Sequence, residues 1–225
     1  MKVLAICAIA MLSVSSVKAQ FTTGADIVSS YVWRGVPQET SNGGSPNIQP
    51  YVSYTAGKLT VGSWASGSFS GNVKEVDLYA TFAISSAFAV TLTDYYYNFA
   101  TQPNYFKYDA STGHAFEGTL AYTGSKFNAN INTMFAGADK KANGDNAFST
   151  YIELGYQLTP IAKVFLGGTI GESPNYYTTK AGVTNVGLKV SKSIAITDKF
   201  SLPVYGIVGA NPYAKSTFFV AGVTL

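Results

Sequence analysis

Ionised side chains are scarce in this chain of 225 residues. Charged residues make up 12% of it, against about 25% in an average soluble domain. The one cysteine is Cys7, so the chain beyond it has no disulfide, thiolate metal site or cysteine nucleophile. The net charge of +3 is too small to indicate a nucleic-acid partner. These absences fit poorly with a soluble enzyme or a disulfide-stapled domain.

Long hydrophobic runs are missing after the N-terminus. Residues 3–14 are apolar, but a spanning helix needs about 20 such residues. The run follows a basic start and precedes small residues that end at Ala19, so we expect residues 1–19 to be a secretory signal peptide cleaved before Gln20. Cys7 lies too early in this segment to be a lipoprotein cysteine. Residues 20–225 are then long enough for one sizeable domain.

Aromatic residues and strand-like alternation are abundant instead. The chain has 16 Tyr and 14 Phe, and after the signal peptide it contains about twelve short runs in which apolar and polar residues alternate. The runs cover residues 24–34, 48–54, 59–66, 74–84, 88–97, 116–122, 127–135, 151–158, 163–170, 183–190, 200–209 and 216–225. In lipid only helices and closed barrels satisfy every backbone polar group. The pattern therefore predicts an all-β protein, a transmembrane antiparallel up-and-down β-barrel of about twelve strands.

The gaps between the runs mostly alternate between long and short. Residues 36–46, 98–114 and 136–147 form long gaps, and tight turns separate most of the other runs. Long external loops and short periplasmic turns are typical of outer-membrane barrels. An even number of strands then leaves both termini in the periplasm. The gap at 191–199 is longer than this scheme predicts.

The last ten residues, 216–225, are apolar on both faces of a predicted strand. An unpaired edge of this kind would aggregate in water, so we expect it to seal the barrel against the first strand. The segment resembles the C-terminal sorting strand of bacterial outer-membrane proteins, with Leu225 where that pattern favours Phe. The resemblance implies outer-membrane lipid and the barrel-assembly machinery as partners, in a Gram-negative bacterium.

Four motifs in order resemble one outer-membrane family. They are Tyr31-Val-Trp-Arg-Gly35, Ile48-Gln49, Val61-Gly-Ser-Trp-Ala-Ser66 and Glu75-Val-Asp-Leu-Tyr79. The series looks like the TorF family of outer-membrane porins, also grouped under a Gcw label, and the resemblance is clearest over residues 24–82. It implies an outer-membrane barrel of uncharacterised transport role. Pro50 stands where several members have Gly, and we expect irregular pairing there because proline cannot donate to a ladder.

Six side chains are predicted to line the lumen near its outer mouth. Strand order and alternation place them at similar heights and facing inward: Arg34, Gln49, Trp64, Glu75, Asp77 and Glu117. Arg34 is the only arginine, and its planar guanidinium suits a carboxylate. Two interpretations stay open. The residues form a charged constriction that selects solutes, or Arg34 pairs with Glu75 or Asp77 to satisfy buried charge and fix the register.

Other residues are candidates for the lipid interface or for catalysis. Tyr31 and Trp33 are expected in the aromatic girdle at the lipid interface. His114, the only histidine, is expected in an exposed loop, and no local motif joins it to a serine nucleophile. The sequence contains no phosphate-binding glycine motif and no zinc-ligand pattern. We therefore expect neither an enzyme nor a cofactor.

The lumen of a barrel with about twelve strands is wider than that of small barrels, which side chains fill, and narrower than that of large barrels with an aqueous channel. The leading hypothesis is a narrow porin that passes small hydrophilic solutes, with inward carboxylates favouring cations. The alternative is a non-conducting barrel that has a structural role or binds partners through loops 36–46, 98–114 and 136–147.

Overall fold

The computed structural model describes residues 19–40, 44–97, 104–109 and 111–225. The predicted signal peptide, residues 1–19, lies outside the described residues except for Ala19. The strands of the described chain are β1 (Ala19–Val28), β2 (Val32–Trp33), β3 (Val36–Pro37), β4 (Asn47–Ala56), β5 (Leu59–Ser68), β6 (Lys74–Ala83), β7 (Phe88–Tyr97), β8 (His114–Thr123), β9 (Phe127–Gly137), β10 (Thr150–Thr159), β11 (Ala162–Thr169), β12 (Gly182–Thr197), β13 (Phe200–Asn211) and β14 (Ser216–Thr224).

All of these strands except β2 and β3 form one closed antiparallel barrel of twelve strands. Neighbours in sequence are neighbours in the barrel, with β1 next to β4, and β1 pairs with β14 to close the ring. This last seam is short, running from Asp26↔Thr224 to Val28↔Gly222. The predicted fold class, an all-β closed barrel of about twelve antiparallel strands, is confirmed. The described residues contain no helix that is long and apolar enough to cross a membrane.

Apolar side chains cover the outside of the barrel, and polar ones face the lumen. Along β6, Glu75 and Asp77 are buried while Leu78 and Phe82 are exposed, as the two-residue period of a strand requires. Every barrel strand contributes to the exposed apolar surface, for example through Phe21, Val52, Val61, Leu78, Leu92, Leu120, Ile131, Leu154, Leu166, Leu188, Val208 and Phe219. A continuous apolar band of this kind is stable in hydrocarbon and not in water. The architecture is that of a membrane-embedded β-barrel.

The two ends of the barrel differ in their connections. At one end, the turn end, the connections are short: 57–58, 84–87, 124–126, 160–161 and 198–199. At the other, the loop end, they are mostly longer: 29–46, 69–73, 98–113, 138–149, 170–181 and 212–215. The long gap expected at 191–199 is absent, because β12 continues to Thr197 and β13 begins at Phe200. This correction removes the exception to the loop pattern.

The first strand is not where alternation placed it. β1 ends at Val28 rather than at Arg34, and β2 and β3 form a separate two-stranded hairpin. Residues 31–37, of which 31–34 were predicted in the first strand and 36–37 in an external loop, lie inside the barrel. Glu39 and Ser45 instead contact Ser70 in the loop between β5 and β6. Tyr31 and Trp33 therefore do not belong to a lipid-interface girdle, because their rings contact Trp64 and Tyr95 on the inner wall.

Pro50 interrupts one ladder of β4 and leaves the other intact. Toward β1 the pairing continues through Ala25↔Pro50 without a shift. Toward β5 the described ladder has pairs at Ile48↔Gly67 and Tyr51↔Trp64 and none between them. The expected irregularity is present, and the register is the same on both sides of it.

Candidate functional site

A two-residue turn reverses the chain inside the barrel. Val32 and Trp33 pair with Pro37 and Val36, and the turn residues Arg34 and Gly35 have φ values of 52° and 81°. Positive φ at both central residues defines a type I′ turn, whose backbone twist matches that of the two strands it connects. Glycine adopts it readily, whereas in a non-glycine residue it costs about 1–3 kcal/mol. The contacts of Arg34 must offset this strain.

Arg34 binds the carboxylate of Glu117 on β8 through both of its terminal nitrogens. Nη1 donates to Oε2 at 2.6 Å, and Nη2 donates to Oε1 at 2.7 Å. Nη1 also donates to the Tyr177 hydroxyl at 2.6 Å, and the Tyr95 hydroxyl donates to Glu117 Oε1 at 3.0 Å. The Glu117 side chain is 1% exposed and that of Arg34 13%. A buried bidentate pair is charge-assisted and geometrically specific, so it fixes the position of the hairpin tip.

The backbone of the turn is held by other walls of the barrel. Thr184 on β12 donates its hydroxyl to the carbonyl of Arg34 at 3.2 Å, and Asn211 on β13 donates its side-chain amide to the carbonyl of Gly35 at 3.2 Å. The hairpin leaves the barrel wall at β1 and returns to it at β4. Its tip therefore crosses the lumen to reach β8, β12 and β13.

Aromatic rings enclose the middle of the hairpin. The Trp33 ring stacks on Tyr177 with centroids 5.2 Å apart, and it meets Tyr95 and Tyr176 edge to face at 5.8 and 6.1 Å. The Arg34 guanidinium carbon lies 4.7 Å from the Trp33 ring centroid. Tyr176 and Tyr177 belong to the loop between β11 and β12, so that loop covers the hairpin from the loop end.

The hairpin divides the lumen into two cavities. The cavity at the loop end has a volume of about 310 Å³ and that at the turn end about 340 Å³. Tyr31 borders both of them. The hairpin therefore lies between the two cavities and contacts the barrel wall at β8, β12 and β13.

The six predicted residues all lie inside the barrel, but they do not form one constriction. Arg34 pairs with Glu117, so the expected pairing with Glu75 or Asp77 is wrong. The reason is that Arg34 is at the tip of a hairpin and not at the end of a strand. The hairpin carries it past β4, β5, β6 and β7 to the far side of the lumen.

Gln49 and Trp64 lie beside the base of the hairpin. The side-chain amide of Gln49 donates to the Ser66 hydroxyl at 3.4 Å, and Gln49 borders the turn-end cavity. The Trp64 ring packs against Tyr31 with centroids 5.5 Å apart. Trp64 therefore supports the hairpin where it leaves the barrel wall, and Gln49 joins β4 to β5.

Glu75 and Asp77 are buried on the inner face of β6 and have no basic partner among the described residues. They are 5% and 6% exposed, and Glu75 Oε2 and Asp77 Oδ1 accept no hydrogen bond within the described structure. The Tyr31 hydroxyl is hydrogen-bonded to Glu75. Burial, and then the charges of Glu75 and Asp77, raises the pKa of Tyr31 well above its usual value. The phenol therefore keeps its proton and remains a donor to Glu75.

His114 is buried, so the expectation of an exposed loop residue is wrong. It begins β8 on the outer face of the barrel and is 0% exposed. Its Nδ1 lies 2.7 Å from Asp94 Oδ1, and its Nε2 lies 2.5 Å from the carbonyl oxygen of Tyr105. No local pattern indicates this burial, because Tyr105 and Tyr108 of the preceding loop pack against the imidazole ring.

Sequence reasoning missed the residues that seat the hairpin, namely Tyr177, Thr184 and Asn211. The segment Val32–Pro37 carries a weak hairpin signal, since apolar residues flank a dipeptide ending in glycine. Type I′ turns favour Asn-Gly or Asp-Gly at that position, and Arg34-Gly35 is not a usual pair. The partners themselves come from strands and loops far along the chain, which local patterns do not reveal.

Comparison with known proteins identifies no family for the chain. No family model matches it, and no curated protein matches it. A solved structure described as "Unveiling the Mechanism Behind the in-meso Crystallization of Membrane Proteins" aligns with a TM-score of 0.45 and 9% identity, over 92% of this chain and 83% of that chain. A likeness this weak carries no argument. The fold and the site thus define a closed, membrane-embedded barrel with a hairpin across its lumen, and the TorF resemblance stays a prediction.

Proposed function

We propose that the protein is an outer-membrane channel for small hydrophilic solutes, and that the hairpin closes it. On this proposal the loop end faces the outside of a Gram-negative cell and the turn end faces the periplasm. β1 starts and β14 ends toward the turn end, which puts both termini in the periplasm. The bidentate pair between Arg34 and Glu117 carries the proposal, because it holds a separate hairpin, rather than the barrel wall, across the lumen.

The contacts at the hairpin tip are of a kind that can be exchanged for water. Arg34, Gly35 and their partners on β8, β12 and β13 interact through an ion pair and hydrogen bonds. Water can replace each of them at a modest net cost, whereas the barrel ladders cannot be broken without opening the sheet. Movement of the hairpin out of the lumen would therefore leave the wall intact and join the two cavities into a narrow passage.

The balance of charge differs between the two ends of the lumen, because Glu75 borders the loop-end cavity, whereas Glu153 shares the turn-end cavity with Arg34 and two lysines. Glu75 and Asp77 lie toward the loop end, while Lys163 and Lys189 border the turn-end cavity and are direct neighbours across the β11–β12 ladder. Neither lysine has a carboxylate within salt-bridge distance in the described structure. On this proposal the inward carboxylates favour cations at the outer entrance, but not along the whole passage.

A second candidate is a barrel that never conducts and acts through its external loops. The contacts of the hairpin tip favour this second candidate, because they hold the hairpin in the lumen from three strands of the wall, β8, β12 and β13. Of the loops expected to bind partners, 36–46 has its first two residues inside the barrel, while Glu39 and Ser45 pack against the loop between β5 and β6. The described residues of the connections at 98–113 and 138–149 also lie at the loop end.

Conductance of the refolded mature protein in planar bilayers tests the proposal. Wild-type protein should open rarely, and Glu117→Gln should raise the open probability about tenfold or more, because a hydrogen bond to a charged group contributes about 1.5–3 kcal/mol and 1.4 kcal/mol is a factor of ten. The charge swap of Arg34→Glu with Glu117→Arg should restore closure. Glu153→Gln is the matched control, since this inward carboxylate does not contact the hairpin through a hydrogen bond. Bilayers that stay silent with every variant would favour the non-conducting barrel.

A further inference from the structure

The loop-end cavity is lined by aromatic rings. Five of its bordering side chains are Tyr31, Trp33, Tyr95, Tyr97 and Tyr176. They come from the hairpin, from β7 and from the loop after β11, so they approach the cavity from several sides. Its volume of about 310 Å³ is at the lower end of the range for small-molecule sites.

One acidic side chain borders this cavity among the described residues, and it is Glu75. Its Oε2 is buried and accepts no hydrogen bond. Asp77 lies two residues further along the same face of β6 and also keeps one oxygen without a partner. Arg34, at the tip of the hairpin, is bound by Glu117. Buried carboxylates without a partner are costly, and a cation bound in the cavity would offset that cost.

The lining indicates which kind of cation would fit. Small inorganic cations take several oxygen ligands, and no group of three or more His, Cys, Asp or Glu in the described residues is placed to hold a metal. Aromatic faces attract alkylated ammonium groups, which carry a diffuse positive charge and an apolar surface. A carboxylate behind the rings supplies the counter-charge.

We propose that the loop-end cavity is a binding site for a small organic cation with an alkylated or quaternary ammonium group. The ammonium lies against the aromatic rings, with Glu75 as its counter-ion. Tyr31 and Trp33 belong to the hairpin, so the site is complete only while the hairpin is in the lumen. Binding therefore needs no conduction, and failure of the proposed channel would leave this site intact.

Tryptophan fluorescence of the detergent-solubilised mature protein tests the site. The protein has two tryptophans, Trp33 and Trp64, and Trp33 borders the cavity. Choline would be titrated at constant ionic strength against its neutral isostere 3,3-dimethylbutan-1-ol, which has the same shape without the charge. We expect a saturable change with choline and at least about tenfold weaker binding of the alcohol, since the ring quadrupole and Glu75 act on charge alone.

Variants separate the two parts of the site. Glu75→Gln should weaken choline binding about tenfold or more by removing the counter-charge, and Tyr176→Leu should weaken it by removing a ring that belongs to a loop and not to the barrel wall. Glu153→Gln, in the turn-end cavity, should leave the affinity unchanged. Equal binding of choline and the alcohol, no saturation with choline, or equal losses in Glu75→Gln and Glu153→Gln would each overturn the proposal.

Discussion

Gly35 packs against the backbone carbonyl of Thr184, with no room between them for a Cβ atom. The same Thr184 donates its hydroxyl to the carbonyl of Arg34, 150 positions earlier in the chain. The hairpin tip therefore sits in a notch of β12 that only glycine fits. This notch exists only once β12 has joined the barrel.

Gly35→Ala should displace the hairpin from the lumen. The added methyl group collides with the Thr184 backbone, and alanine at a φ of 81° adds strain of about 1–3 kcal/mol. Trypsin cleavage after Arg34, the only arginine, reports the displacement. We expect cleavage about tenfold faster or more, given 1.4 kcal/mol per factor of ten.

Gly71→Ala is the matched control for this prediction. Gly71 has a φ of 80°, but nothing lies within 4 Å of a Cβ placed there. It therefore carries the same backbone strain without the collision, in a different loop. Equal cleavage after Arg34 in both variants would show that the notch does not hold the hairpin.

A second prediction concerns the loop that covers His114. Asp94 binds the imidazole at 2.7 Å and accepts the Tyr108 hydroxyl at 3.2 Å, and the Tyr108 ring stacks on His114. Asp94→Asn removes the charge from both contacts. Trypsin cleavage after Lys107, in the same loop, should become about tenfold faster, since a hydrogen bond to a charged group contributes about 1.5–3 kcal/mol and local opening governs cleavage.

Asp109→Asn tests whether any loss of charge in this loop has the same effect. Asp109 is exposed and accepts hydrogen bonds from Ser111 alone among the described residues. Its substitution should leave the cleavage rate after Lys107 nearly unchanged. A rate that is the same in wild-type and Asp94→Asn protein would contradict the role given to Asp94.

A third prediction concerns Asp139, which joins two loops at the loop end. It accepts the amide and the hydroxyl of Ser149 at 2.8 and 2.9 Å, and the Asn175 side chain at 3.1 Å. Asp139→Asn leaves a donor where an acceptor is needed, so hydrogen exchange of the Ser149 amide should be about tenfold faster or more. Asp145→Asn, an exposed change in the same loop, should not alter that exchange. Protection of Ser149 in Asp139→Asn would contradict the prediction.

Strand positions could be predicted because each depends on a local pattern. β7 spans Phe88–Tyr97, which is the range that alternation predicts. Successive residues face lipid and the lumen in turn, so apolar and polar side chains alternate along the strand. The predicted end of the first strand was wrong. Residues 29–34 keep the same alternation after β1 has ended, since the hairpin also has an apolar and a polar side.

The inward-facing direction of Glu75, Asp77 and Glu117 could also be predicted, since it follows from parity within a strand. The sequence could not predict which of these three carboxylates binds Arg34. The pair spans 83 residues, and its formation depends on how far the hairpin reaches across the closed ring. Tyr177, which shares the guanidinium, lies 143 residues from it.

The sequence by itself determined that the chain forms a barrel of about twelve strands with an apolar outer surface, because a two-residue alternation between two different surroundings is a property of each short segment. Only the tertiary structure decided that residues 31–37 turn inward, that Arg34 meets Glu117, and that two cavities result. Those contacts exist between segments brought together by ring closure, and the distance across the lumen is set by all twelve strands at once.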